Sequence, residues 1–135
     1  MKRADLSIML IDDMTAMRMV MKGILTQIGF TSVVEQSSAH MALNTLNTHP
    51  GCCRVILCDW VMPHMSGFDL LRAVRTHQDA NIKRLPVVMV TAESSRENVL
   101  QAQMAGANGY ILKPFTPEMV DKAIVRLFPA LQAAT

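Results

Sequence analysis

Aromatic side chains are scarce in this chain: they make up 4% of its 135 residues, as four Phe, one Trp and one Tyr. Proteins that grip nucleic acid combine basic runs with aromatic platforms. Here Lys and Arg are scattered and the net charge is only +2, so no nucleic-acid partner is expected. No apolar run approaches the ~18 residues a membrane span needs. The opening MKRADLSIML meets Asp12-Asp13 too soon to be a secretory leader. No membrane association is expected. Cysteine is also sparse. Cys52, Cys53 and Cys58 form no CxxC and join no histidine at metal-ligand spacing, which points to reduced thiols and a cytoplasmic location. His40, His49, His64 and His77 read as solvated surface residues. Repeats, linkers and low-complexity tracts are absent too.

What is present suits a single domain. Half the residues are hydrophobic, and the twelve methionines, such as Met14, Met17 and Met21, fall at helical spacing and read as core filler. The central stretch is VILCDWVMPHMSG at 55–67. Val55–Cys58 has no polar alternation, the mark of a strand buried on both faces. Similar runs occur at Leu6–Ile11, at Val87–Val90 and, shorter, at Gly109–Leu112, and Thr31–Glu35 reads as an edge strand. Between them lie amphipathic helices: Met14–Ile28 capped by Thr15, Ala39–Thr48, Phe68–His77, a fourth from a Ser94/Glu97 capping box to about Met104, and a fifth after Thr116-Pro117. Gln78–Arg84 reads as a loop. Five strands alternating with five helices predict an open, doubly wound parallel sheet.

Such sheets bind ligands beyond the carboxyl ends of their strands, where strand order reverses. The polar residues fall there. The first strand ends on Asp12-Asp13, the third on Asp59, the fourth on Thr91 and the fifth on Lys113. Three carboxylates in one crevice repel one another, and a hard cation such as Mg²⁺ relieves this. With Lys113 and the Thr91 hydroxyl, the set is complementary to a phosphoryl group. Asp59, alone at the end of the central strand, is the candidate nucleophile for an acyl phosphate.

Four blocks carry a resemblance: DDMTAMR at 12–18, DWVMPHMSG at 59–67, VTAE at 90–93 and GYILKPF at 109–115. Together they resemble a bacterial response-regulator receiver domain of the single-domain chemotaxis (CheY-like) type, over essentially the whole chain. The resemblance implies an α/β, flavodoxin-like (βα)5 fold of strand order 2-1-3-4-5. CheY is itself a type example of that order, so the order is part of the resemblance and not separate from it. It implies one receiver domain over 1–135, with its core at about 6–129 and no output domain. It also implies a phosphoacceptor with self-catalysed phosphorylation and dephosphorylation, not an enzyme. Asp59 would accept a phosphoryl group from a sensor histidine kinase or phosphotransfer protein. Asp13, Asp59 and the Val61 backbone carbonyl would hold Mg²⁺, with Asp12 acting mostly through water. Lys113 would pair with the phosphoryl oxygens. Thr91 and Tyr110 would form the switch. Ala92, Glu93 and Pro114 would line the rim, with Lys113-Pro114 as a cis peptide. A downstream target, the flagellar motor switch in a chemotaxis system, would bind the face made by the fourth helix, fifth strand and fifth helix. The protein would be monomeric. Val61 stands where such proteins commonly carry Asn, which bears on the rate of self-dephosphorylation, and Gln36–Cys53 departs from the chemotaxis pattern.

Three other readings compete. A phosphorelay intermediate or phosphate sink would share every site residue. An aspartyl-phosphate phosphatase places a second acid two positions after its nucleophile at the end of strand one, and Thr15 does not fit that pattern. FMN binding needs a hydroxyl-rich loop after strand one, where this chain is acidic.

Overall fold

The computed structural model describes residues 1–133. Its apolar runs form a five-stranded sheet. Strands β1 (Ile8–Ile11), β3 (Val55–Asp59) and β4 (Val87–Thr91) are buried at every position. Strands β2 (Val33–Gln36) and β5 (Gly109–Leu112) are more open and lie at the edges. The order is β2-β1-β3-β4-β5, with every pair parallel. The flavodoxin-like expectation is borne out.

Side chains alternate across a strand, so the continuous apolar runs feed two cores. Met9, Ile11, Ile56, Cys58, Val87 and Met89 face helices α2 (Ala39–Thr48), α3 (Gly67–Arg75) and α5 (Arg96–Met104). Ile8, Leu10, Val55, Leu57, Val88 and Val90 face α1 (Thr15–Gln27) and α6 (Pro117–Leu127). Each large aliphatic side chain buried in these layers contributes about 1.5–3 kcal/mol.

The structure corrects several local expectations. The segment read as a loop at 78–84 contains a one-turn helix, α4 (Ala80–Lys83). Asp79 caps it, and Ile82 is fully buried; one apolar residue in a polar stretch has no periodicity to reveal it. Thr15 is the first helical residue of α1 and not its cap, and the Met14 amide is satisfied by Asp12 Oδ1 at 2.9 Å. The capping box expected from Ser94 and Glu97 is absent, because Ser95 caps α5 by accepting from the Asn98 amide. The methionines are not uniformly core filler: Met14, Met19, Met41, Met104 and Met119 are exposed. His77 is half-buried, accepting from the Asp79 amide at 2.9 Å through Nδ1, while Nε2 meets Asn47 Oδ1 at 2.7 Å.

Two arginines close the fold at points the sequence did not mark. Arg75, at the end of α3, donates to the carbonyls of Lys83, Leu85 and Gly106 and to Asn108 Oδ1. It thereby ties α3 to α4 and to the turn before β5, and burial lowers its pKa. Arg3 lies in a 3₁₀ turn (Arg3–Asp5) and is nearly buried. It pairs with Asp121 of α6, donates to the carbonyls of Ile28 and Gln132, and sits over the Phe30 ring.

The cysteines are all free, as expected. Burial pushes the Cys53 and Cys58 thiols far up, aided by Cys52 in the first case and by Asp59 and Asp12 in the second. Thiolate is the reactive form. Maleimide at neutral pH is therefore expected to label native protein at Cys52 alone and to reach all three thiols only after unfolding, as read by peptide mass spectrometry.

Candidate functional site

Parallel register builds the site. Ile11 of β1 lies beside Cys58 of β3, so the next residues, Asp12 and Asp59, leave the sheet side by side. On the other flank, Thr91 pairs with Leu112, and the Lys113 amide donates to the Thr91 carbonyl at 2.9 Å. Four strand ends thus bring the polar residues into one crevice between β1 and β3.

Carboxylate oxygens of Asp12, Asp13 and Asp59 all lie within 4.8 Å of one another. Asp12 and Asp59 are buried and Asp13 is exposed. Lys113 Nζ stands 3.6 Å from Asp12 Oδ2 and 3.5 Å from Asp59 Oδ2. Burial raises the Asp59 pKa; the Lys113 ammonium opposes this, and the Asp12 charge adds to it. An all-oxygen donor set, crowded and only partly neutralised by one lysine, fits a hard divalent cation.

Support for the crevice comes from behind it. The Arg18 guanidinium donates to the Asp12 carbonyl at 2.6 Å and reaches Glu35 at 3.4 Å, which fixes the β1–α1 turn against β2. Gly67 opens α3 against the back of Asp59: a Cβ there would lie 2.0 Å from the Asp59 carbonyl oxygen. The Gly67 amide donates to the Trp60 carbonyl at 2.8 Å, and Ser66 and Asp69 form a capping box. Arg18 lies in the DDMTAMR block, but nothing local marked it as the residue that braces Asp12. The Ser66-Gly67 pair was legible as a helix start, but not as the support of Asp59.

The remaining predicted residues fall around the rim. Thr91 is buried, and its Oγ1 accepts from the Glu93 amide at 3.2 Å. Ala92, Glu93 and Pro114 are exposed, and Lys113-Pro114 is cis. The Val61 side chain is 64% exposed, in the loop after β3. Tyr110 is half-buried, with its hydroxyl donating to the Glu93 carbonyl at 2.7 Å. Its ring meets Trp60 edge-on at 6.2 Å, and Trp60 stacks on Phe68 at 5.5 Å. Aromatic contacts therefore run from beside Asp59 in two directions.

A doubly wound parallel sheet with an acidic crevice and one lysine at its switch point defines a flavodoxin-like domain. The chain belongs to the response regulator receiver domain family, whose model matches residues 8–125. It is 42% identical over 123 residues to the chemotaxis protein CheY of Pseudomonas aeruginosa, covering 91% of this chain and 96% of that one. It is 38% identical over 127 residues to CheY-3 of Vibrio cholerae, covering 94% and 95%. Among solved structures, CheY4 of Vibrio cholerae superposes with a TM-score of 0.80 at 29% identity, covering 91% of this chain and 98% of that one. The chain is a CheY-like receiver domain. No helix among the described residues is long and apolar enough to cross a membrane.

Proposed function

We propose that the chain accepts a phosphoryl group on Asp59 from a phosphohistidine of a sensor kinase or phosphotransfer protein, in the cytoplasm, and so switches its affinity for a protein target. The observation that carries this reading is the cluster of three carboxylates within 4.8 Å beside a lysine shared by two of them. Asp12, Asp13, Asp59 and the Val61 carbonyl would hold Mg²⁺, which when bound supplies positive charge for carboxylate and phosphoryl oxygens.

The chain's own groups do the rest. A carboxylate oxygen of Asp59 attacks phosphorus, the phosphorus–nitrogen bond breaks, and the imidazole leaves and takes up a proton. Lys113 is placed to follow the charge from the carboxylate to the new phosphoryl oxygens, and the Thr91 hydroxyl is free to donate to one of them while still accepting from Glu93. Drawing Thr91 inward pulls on the Glu93 turn. Tyr110, bonded to the Glu93 carbonyl, then repacks, and the face of α5, β5 and α6 changes. This is a population shift biased by one covalent event. The similarity to chemotaxis proteins favours a protein target of the chemotaxis machinery, the flagellar motor switch, for the α5, β5 and α6 face.

The test uses Trp60, which adjoins Asp59. Mg²⁺ and then beryllofluoride are expected to change its emission in two successive steps, and Asp59→Asn should lose the second. Radiolabel from a phosphorylated kinase should enter the wild type only; label on the Asn variant would overturn the assignment. Tyr110→Ala is expected to leave beryllofluoride binding intact. It should also remove the difference in motor-switch affinity between loaded and unloaded protein, measured by titration calorimetry. A preserved difference would rule out the tyrosine relay.

A further inference from the structure

We propose that the groove between α3 and α5 is a docking site for an amphipathic helix of a partner protein, apolar on one face and acidic along the flank that meets α3. Helix α5 is thinly attached: Ala102 is its one buried residue. Leu100 is 48% exposed and Met104 88%. One helical turn separates them, so they share a face. That face looks toward α3, where Phe68 completes the lining of a groove of about 620 Å³. The opposite side of α5 is a separate surface, on which Gln103 lies with Tyr110 and Arg126. The inference therefore does not rest on phosphorylation of Asp59.

Shape and charge select the occupant. Both walls are helices of nine residues, about 13 Å long at 1.5 Å per residue, enough to cradle two to three turns of a third helix. Apolar grooves of this kind take side chains at i, i+3, i+4 and i+7. The walls differ in sign. Arg72 projects from α3 with its guanidinium over the Phe68 ring, 5.9 Å from the centroid, and Glu97 stands on the α5 wall. Among the described residues neither has an ion-pair partner. Arg75, the other cation of the α3 wall, is committed to backbone carbonyls. A helix carrying acids on the α3 side would meet Arg72 and keep its own acids away from Glu97. Charge complementarity of this sort fixes orientation and partner choice.

Phe68 stacks on Trp60, so the groove has a built-in reporter. The probe is a side-chain-stapled helical peptide with leucines at i, i+3, i+4 and i+7 and glutamates on one flank, compared with the same peptide carrying lysines there. The glutamate peptide is expected to change Trp60 emission saturably and to bind about tenfold more tightly than the lysine peptide. Leu100→Gln and Met104→Gln should each weaken it about tenfold, and Arg72→Glu should reverse the preference. Circular dichroism checks that each variant is folded; all three positions are exposed. No saturable response, equal binding of the two peptides, or a preference unmoved by Arg72→Glu would overturn the proposal. A loss produced by Gln103→Glu instead would place the peptide on the other face of α5 and would also overturn it. So would self-association of the free chain abolished by Met104→Gln, since a second copy would then fill the groove.

Discussion

Gly67→Ala is expected to cost about 2–4 kcal/mol of stability and to slow phosphoryl acceptance at least tenfold. The added methyl would sit 2.0 Å from the Asp59 carbonyl oxygen and 2.9 Å from its carbon. These are backbone atoms and cannot rotate aside as a side-chain tip would. Either the first turn of α3 lifts, breaking the 2.8 Å bond from the Gly67 amide to the Trp60 carbonyl, or the end of β3 is pushed toward the crevice. Both displace Asp59, the proposed nucleophile, and a displacement of an ångström is costly in such chemistry. Urea denaturation measures the first effect, and acetyl phosphate kinetics followed at Trp60 measure the second. Gly23→Ala is the control. That glycine lies in α1 with nothing within 4 Å of an added Cβ, so alanine there should stabilise by up to about 1 kcal/mol through helix propensity. If the two substitutions behaved alike, the close approach of α3 to Asp59 would carry no energetic weight.

Lys113→Met is expected to lower stability by about 2–3 kcal/mol in chelator and to lose far less in millimolar Mg²⁺. Methionine keeps the stem of the side chain and removes its charge. Asp12 and Asp59, 6% and 7% exposed, would then face each other with no cation between them. Breaking a buried ion pair from one side costs about 3–5 kcal/mol; the crevice opens to solvent at the exposed Asp13, which screens the remaining charges and brings the cost down to about 2–3 kcal/mol. An ion that binds only the folded state restores stability by mass action. Lysine and metal compete to neutralise the same oxygens, so the variant should also bind Mg²⁺ more tightly than wild type, as read by Trp60 fluorescence. Adding Asp59→Asn to Lys113→Met should recover much of the loss in chelator, because one of the two repelling charges is gone. A loss identical with and without Mg²⁺ would mean that Lys113 acts through packing and not through charge.

The sheet was legible because its central strands are buried on both faces and therefore read as unbroken apolar runs. Val55–Cys58 and Val87–Val90 read as strands covered by helices on both sides, which is where the structure places them. The site was legible for a related reason: Asp12, Asp59, Thr91 and Lys113 each follow such a run directly, and parallel register carries every run to the same edge. What stayed hidden depends on contacts between distant parts of the chain. Nothing local marks Gly67 as the residue on which the back of Asp59 rests, or Arg75 as the clamp on the turn before β5. Ile82 anchors a helix of one turn, too short to produce a stripe. The caps shifted by a residue because local sequence does not single out one position: Ser94 and Ser95 both offer a hydroxyl, and α1 begins after Met14, a cap residue with no side-chain acceptor of its own. Exposed methionines misled because composition does not distinguish a side chain that fills a core from one that waits at a surface such as Met104.

The pairing of Arg3 with Asp121 has a consequence for biosynthesis. The two partners are 118 residues apart, so at a translation rate of about 5–20 residues per second the arginine waits roughly 6–24 s for its aspartate. Val120 and Ile124, which cover the layer formed by Leu10, Leu57 and Val90, arrive in the same late segment. Until then the ribosome carries a sheet with that apolar side covered only by α1, and the nascent chain is at its most vulnerable to misassociation just before α6 emerges.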